Sequence, residues 1–473
     1  MSTVRSCRRA LVALAFLIAA FSVRPTCAEE PPNIVFLISD DHAWTDYGFQ
    51  GHPELETPNL DQLAARGALF PRGYVPTALC RPSLATLATG LYAHQHQITG
   101  NDPAVAPARD PNAAAEHRAA EAELRERMIA RFHQHPSIVP LLAAKGYLSH
   151  QSGKWWEGSY QRAGFTHGMT RGFPEPGGRH GDDGLAIGRE GLEPVLRFLD
   201  RAVAERKPFF LWYAPLLPHT PHNPPERLFQ KYKAKGIASD HVARYYAMVE
   251  WFDETCGQLL ERLDALDLTR KTLVVYVGDN GWIQQENAAG YAPRSKQSPY
   301  EGGVRQPIVF SWPGVIRPGR RDEQLCSSVD IVPTVLAAAV AKAPANLPGF
   351  DLLPILRTGE PTPRKEVLGE GFAHDVANLD RPEDTLLYRW VIDGRWKLLL
   401  TYDGQVGRHA SSHPRTEKRP QLFDLRADPH EQRNLAAEHP ELVERLASRL
   451  AAWWPVTQRQ VLTEWTEEIG VWK

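Results

Sequence analysis

Three apolar runs constrain this chain more than any other feature, because each is strand-sized, lacks a polar face and leads to a polar cluster. Asn33-Ile34-Val35-Phe36-Leu37-Ile38-Ser39, Pro208-Phe209-Phe210-Leu211-Trp212-Tyr213 and Thr272-Leu273-Val274-Val275-Tyr276-Val277 show none of the alternation of a strand with one wet side. They predict strands buried on both faces, as in a parallel sheet covered by helices. Pro307-Ile308-Val309-Phe310 is a shorter run of the same kind. Helical patterns at 59–67, 138–145, 191–205 and 243–266 lie between them. This alternation predicts an α/β sandwich around a mostly parallel central sheet flanked by helices.

The loop 102–112 and the charged helix 116–131 read as surface. Beyond about Leu356 the pattern changes. Leu387–Ile392 and Arg395–Leu400 flank Asp393-Gly394 as a hairpin, Leu422–Leu425 adds a strand, and 440–454 reads as a closing helix. The expected organisation is therefore a larger α/β domain over 29–356 and a smaller C-terminal α+β subdomain over 357–473, with residues 1–28 set apart. In those first residues Arg5, Arg8 and Arg9 precede an apolar run from Ala10 to Phe21, and Thr26-Cys27-Ala28 follows. This is the layout of a secretory signal peptide, and the run is too short for a bilayer anchor. The expected mature protein is periplasmic or secreted, with no membrane span.

Cleavage would shift the net charge from −2 to about −6, which argues against non-specific nucleic-acid binding. An anionic substrate must then meet a local basic pocket. Of the five cysteines, Cys80, Cys256 and Cys326 lie beyond the signal. An odd count leaves at least one thiol with another fate, and a Cys256–Cys326 disulfide stays open. No Asn-x-Ser/Thr sequon occurs, which favours a bacterial setting.

In open α/β sheets, ligands bind beyond the carboxyl ends of the strands. The first run ends in Asp40-Asp41, the third in Gly278-Asp279-Asn280-Gly281, and the second leads to Pro218-His219-Thr220-Pro221. A short segment, 147–151, ends in Gly153-Lys154-Trp155. Singly, each of these reads as a cap, a turn or a surface histidine. Together they project four polar clusters toward one edge. Asp40, Asp41, Asp279 and Asn280 offer only oxygen ligands, a set suited to a hard cation such as calcium.

Leu79-Cys80-Arg81-Pro82-Ser83-Leu84-Ala85-Thr86-Leu87-Ala88-Thr89-Gly90 resembles the signature of the type I sulfatases, of the alkaline phosphatase superfamily. In that family the cysteine of a Cys-x-Pro-x-Arg core becomes formylglycine. Thr57-Pro58-Asn59-Leu60-Asp61, Tyr300-Glu301-Gly302-Gly303-Val304-Arg305, Trp312-Pro313-Gly314 and 422–435 extend the resemblance across the chain. It implies an alkaline phosphatase-like sandwich and hydrolysis of a sulfate ester, with the ester carried by a carbohydrate in an exported setting. It further implies that Asp40, Asp41, Asp279, Asn280 and the modified Cys80 bind one divalent cation, usually calcium. Lys154 and Lys296 would hold the sulfate oxygens and His219 would assist the leaving group. A formylglycine-generating enzyme would act on Cys80 before export. One hydroxyl of the hydrated aldehyde would attack sulfur and expel the alcohol, and loss of the other's proton would then expel sulfate and restore the aldehyde.

Two positions depart from the family pattern. Leu84 stands where the family has arginine, and Trp156 where its Gly-Lys-Trp-His-x-Gly has histidine. Arg81 would point elsewhere if its segment is helical. Among His150, His167, Arg179-His180 and His222, the better candidates for substrate contact are His180 and His222. Two other readings stay open: a phosphonate or phosphodiester hydrolase of the same fold, and a non-catalytic sulfated-glycan-binding relative in which Cys80 is not modified.

Overall fold

In the computed structural model the three long apolar runs are neighbouring strands of one sheet, and every residue of Asn33–Ser39, Phe209–Ala214 and Thr272–Gly278 is buried. The structure describes residues 31–105, 114–407, 409, 413 and 419–463. The expected signal peptide lies outside the described residues. No helix among the described residues is long and apolar enough to cross a membrane.

Among the described residues the sheet has eight strands. Asn33–Ser39 lies at its centre, parallel to Thr272–Gly278 on one side and Phe209–Ala214 on the other. Leu148–Gly153 continues parallel beyond Phe209–Ala214. Ile308–Ser311 runs antiparallel to both its neighbours, Thr272–Gly278 and Ala68–Phe70. The sheet is thus mixed but mostly parallel, as the sequence predicts.

Both faces of the central strand are covered, which is why its sequence has no polar stripe. Ile34, Phe36 and Ile38 pack with Trp155, Trp212, Phe310 and Val332, and with Leu87 and Ala88 of the helix Cys80–Thr89. Val35 and Leu37 pack with Leu60 and Leu63 of the helix Pro58–Arg66 and with Met248 and Phe252 of the helix Asp240–Ala265. Cys256 belongs to this second layer and Cys326 to the first. The sheet stands between them, and Cys80, Cys256 and Cys326 are all free and buried. The disulfide left open by spacing is not formed.

The C-terminal part is an antiparallel sheet in the order Glu366–Phe372, Leu386–Asp393, Trp396–Thr401, Gln421–Asp424. Here the alternation works in both directions. Trp390, Ile392 and Leu399 face Tyr74, Tyr300 and Val304, while Val391, Leu398 and Leu400 face Leu446 and Leu450 of the helix Pro440–Trp453. A buried ion network ties this sheet to the larger one's loops: Lys397 Nζ lies 3.0 Å from Glu301 and 2.8 Å from Glu431.

His150, on Leu148–Gly153, packs against Phe198 and His167, and so does not supply a donor beside Cys80. Burial pushes its pKa from 6.5 down to about 3. The unfolded chain therefore binds this proton more readily between those values, and stability falls as pH drops through 6.5. Urea unfolding at pH 7 and pH 5 should show His150 costing about 2 kcal/mol at the lower pH, a difference that His150→Phe removes.

Candidate active site

Parallel pairing delivers the polar clusters to one edge. Ser39 is in register with Gly278 and Gly153 with Ala214, so Asp40, Asp279, Lys154 and the segment after Ala214 all emerge together. Backbone bonds hold the exits: Asp40 N donates to Leu217 O at 2.9 Å, Asp279 N to Ser39 O at 2.9 Å and Lys154 N to Ala214 O at 2.7 Å. Gly153 turns the chain with φ +82°, and a Cβ there would lie 1.8 Å from the Ala214 carbonyl oxygen. Asp41 itself sits in the left-handed region at φ 63°, a conformation that aspartate tolerates better than most residues.

The side chains then interlock. Lys154 Nζ lies 2.8 and 2.7 Å from the two carboxylate oxygens of Asp40. Lys296 Nζ is placed likewise on Asp41, at 2.8 and 2.7 Å. Asn280 Nδ2 donates to Asp41 Oδ1 at 2.7 Å, and Asp279 Oδ1 accepts from Asp41 N and Asn280 N at 3.1 and 2.6 Å. His219 Nε2 is 3.3 Å from Asp41 Oδ2, and its Nδ1 is 2.6 Å from the Thr220 carbonyl oxygen. A carbonyl can only accept, so Nδ1 holds the ring proton and Nε2 is the nitrogen turned to the site. Cys80 begins its helix beside these groups. Ligand atoms of Asp40, Asp41, Cys80 and His219 all lie within 4.8 Å of one another.

Burial dominates the electrostatics. It pushes Asp40 up to about 7 even with Lys154 on it. At Asp41 burial is outweighed by Lys296, His219 and Lys154, which hold the carboxyl down at about 2. Burial raises Asp279, lowers His219 to about 4 and lifts the Cys80 thiol to about 12. An unconverted Cys80 is therefore a neutral thiol at neutral pH.

The donor set fits a hard cation. Asp279 Oδ2 and Asn280 Oδ1 are buried and have no hydrogen-bond partner, and all four side chains expected as ligands beside Cys80 offer oxygen. An unsatisfied buried carboxylate oxygen is costly, and a cation bound there would offset that cost.

Around this centre the structure brings Trp156, His180 and His222, all singled out in the sequence, together with Trp282, which sequence reasoning missed. Trp156 lies over Lys154 at 5.3 Å and Trp282 over Lys296 at 5.8 Å. His180 packs on Trp156 at 5.4 Å and His222 on Trp282 at 5.8 Å. His180 Nδ1 and His222 Nε2 are each buried without a partner. The only signal for Trp282 was an aromatic residue directly after Asp279-Asn280-Gly281. Leu84, one turn into the helix, is buried in the apolar layer. His167 packs against Phe198, with His150.

A mostly parallel sheet whose strand ends gather carboxylates, two lysines and a cysteine at a helix start is the arrangement that the resemblance to the alkaline phosphatase superfamily implies. The Sulfatase family model matches residues 32–341, and that of the N-sulphoglucosamine sulphohydrolase C-terminal region matches 294–454. Arylsulfatase A of Homo sapiens is 30% identical over 88% of this chain and 86% of its own length. The N-acetylgalactosamine-6-sulfatase of Canis lupus familiaris is 29% identical over 92% and 87%. A structure solved in complex with its substrate D-glucosamine-2-N,6-O-disulfate covers 90% of this chain and 97% of its own, with TM-score 0.66 and 19% identity, a likeness of fold alone. This chain belongs to the sulfatase family and is a sulfuric ester hydrolase.

Proposed function

We propose that this protein is an exported sulfatase, periplasmic or secreted, that hydrolyses a sulfate ester on a carbohydrate through a formylglycine formed at Cys80. The observation that carries this reading is the convergence of two buried ammonium groups and three buried carboxylates on Cys80. Asp40, Asp41, Asp279, Asn280 and the side chain at position 80 would hold one divalent cation, calcium by its preference for oxygen. Bound there, it would act as a Lewis acid on the sulfate oxygens, and the aldehyde hydrate at position 80 would supply the nucleophile.

Lys154 and Lys296 set fixed positive charge against the sulfate oxygens, in a site where desolvation strengthens that attraction. His219 keeps Nδ1 tied to Thr220 and presents Nε2, the nitrogen able to hold a proton at the bridging oxygen. His180 and His222, each with an unpartnered ring nitrogen beside a tryptophan, are suited to bind hydroxyls of the sugar. The carbohydrate class draws support from the relative named for N-acetylgalactosamine 6-sulfate. A formylglycine-generating enzyme is the implied partner before export.

The test is expression in a host that carries the converting enzyme, followed by mass measurement of the tryptic peptide containing Cys80. Turnover of aryl sulfate is then compared with that of aryl phosphate and aryl phosphonate. The expected result is an aldehyde at position 80 and preference for sulfate. An intact thiol with no turnover of aryl sulfate would sink the proposal and leave a sulfated-glycan-binding relative. Preference for phosphonate would reassign the ester.

A further inference from the structure

The helix that opens with Cys80 has no cap of its own, since Leu79 offers it no side-chain hydrogen bond. Its first turn is held from outside, where Asn101 Oδ1 accepts from Arg81 N at 2.9 Å. The guanidinium of Arg81 is then held by Glu157. Nε and one terminal nitrogen donate to the two oxygens of Glu157, each at 2.8 Å, and the other terminal nitrogen donates to Asn101 O at 3.2 Å. The pair is almost wholly buried, with side-chain exposures of 1% and 5%.

Glu157 lies three residues beyond Lys154. Between them Trp155 is wedged edge-on among Phe132, Phe165 and Trp212, and Trp156 covers Lys154. The Glu157 carbonyl oxygen faces His133 Nε2 at 2.9 Å. One two-pronged ion pair therefore joins the start of the Cys80 helix to the segment that carries Lys154. At Leu84 the same helix is packed among apolar side chains. The arginine of this helix start thus stands at 81, and its charge is met by Glu157.

We propose that Arg81 and Glu157 are positioning residues that set the spacing between the side chain at 80 and the Lys154 ammonium, without touching the substrate themselves. The planar fork of arginine on a carboxylate fixes both distance and orientation, which a lysine point charge does not. The proposal rests on the sulfatase reading of the site.

The test is the double variant Arg81→Met/Glu157→Gln, which removes the fork without stranding a buried charge. It is expected to melt near the wild-type temperature. Because misplacement by about 1 Å costs on the order of 100-fold, kcat on aryl sulfate should fall by roughly 10- to 100-fold, with KM changed far less. Arg81→Lys, which keeps charge but not the fork, should fall between. A double variant with wild-type kcat, or one whose only defect is a lower Tm, would overturn the proposal. Hydrogen exchange judges the pair independently of turnover. Peptides spanning 80–89 and 148–158 should lose protection together in the double variant, and unchanged protection would overturn the proposal even if the wild type proved inactive on sulfate esters.

Discussion

Cys80→Ala is expected to lower turnover of aryl sulfate by at least about 10,000-fold while leaving the fold intact. Both halves follow from where Cys80 sits. The side chain is buried at the first position of its helix, and replacing it with alanine removes one sulfur atom from a packed wall. Such a deletion costs about 1 kcal/mol, a small part of the stability of a domain this size. What it removes from the reaction is the nucleophile, for which no neighbour substitutes. Lys154, Lys296 and His219 would still bind and polarise an ester that nothing then attacks. Steady-state kinetics and a thermal melt on the same preparation check both halves. Full activity in Cys80→Ala would eliminate the formylglycine reaction at a stroke.

Lys154→Met is expected to cost about 100- to 1,000-fold in kcat/KM. On the proposed reading the lysine has two tasks that cannot be separated, because its ammonium lies 2.8 and 2.7 Å from the two oxygens of Asp40. The first task is positive charge for the sulfate. The second is to keep Asp40 ionised, since burial already lifts that carboxyl to about 7 with Lys154 present. Without the lysine, the attraction that holds the Asp40 carboxyl down is lost, and in the cation-free protein Asp40 takes up a proton more readily. The melting temperature should fall less than for a stranded buried charge, since protonation relieves Asp40 of its charge. Kinetics together with metal content of the purified variant would check this. A loss below tenfold with full metal content would assign the sulfate contact mainly to Lys296.

The fold was legible because its evidence is local. A strand-length apolar run with no polar stripe, rich in β-branched and aromatic residues, reads as a strand covered on both sides, and Asn33–Ser39, Phe209–Ala214 and Thr272–Gly278 are such strands. Their polar sequels, Asp40-Asp41, His219 and Asp279-Asn280, needed only the rule that parallel strands end together. The hairpin and the helix Pro440–Trp453 were similarly plain, but the turn falls one residue later than expected, on Gly394-Arg395, because Asp393 still pairs with Trp396. The fate of the cysteines was not. Cys256 and Cys326 lie on opposite sides of the sheet, and no spacing reveals which face a strand or helix presents to it.

By itself, then, the sequence determined the sandwich, the edge where chemistry gathers and the residue types brought there, because periodicity and strand ends are properties of short segments. Only the tertiary structure decided how those groups meet. It alone set Lys154 on Asp40 and Lys296 on Asp41, laid a tryptophan over each lysine, and turned Arg81 onto Glu157. The three ion pairs join residues from 76 to 255 positions apart, and burial rather than sequence sets their strength. A local pattern can say that a charge reaches the site; only packing says which opposite charge it meets, and how far from water.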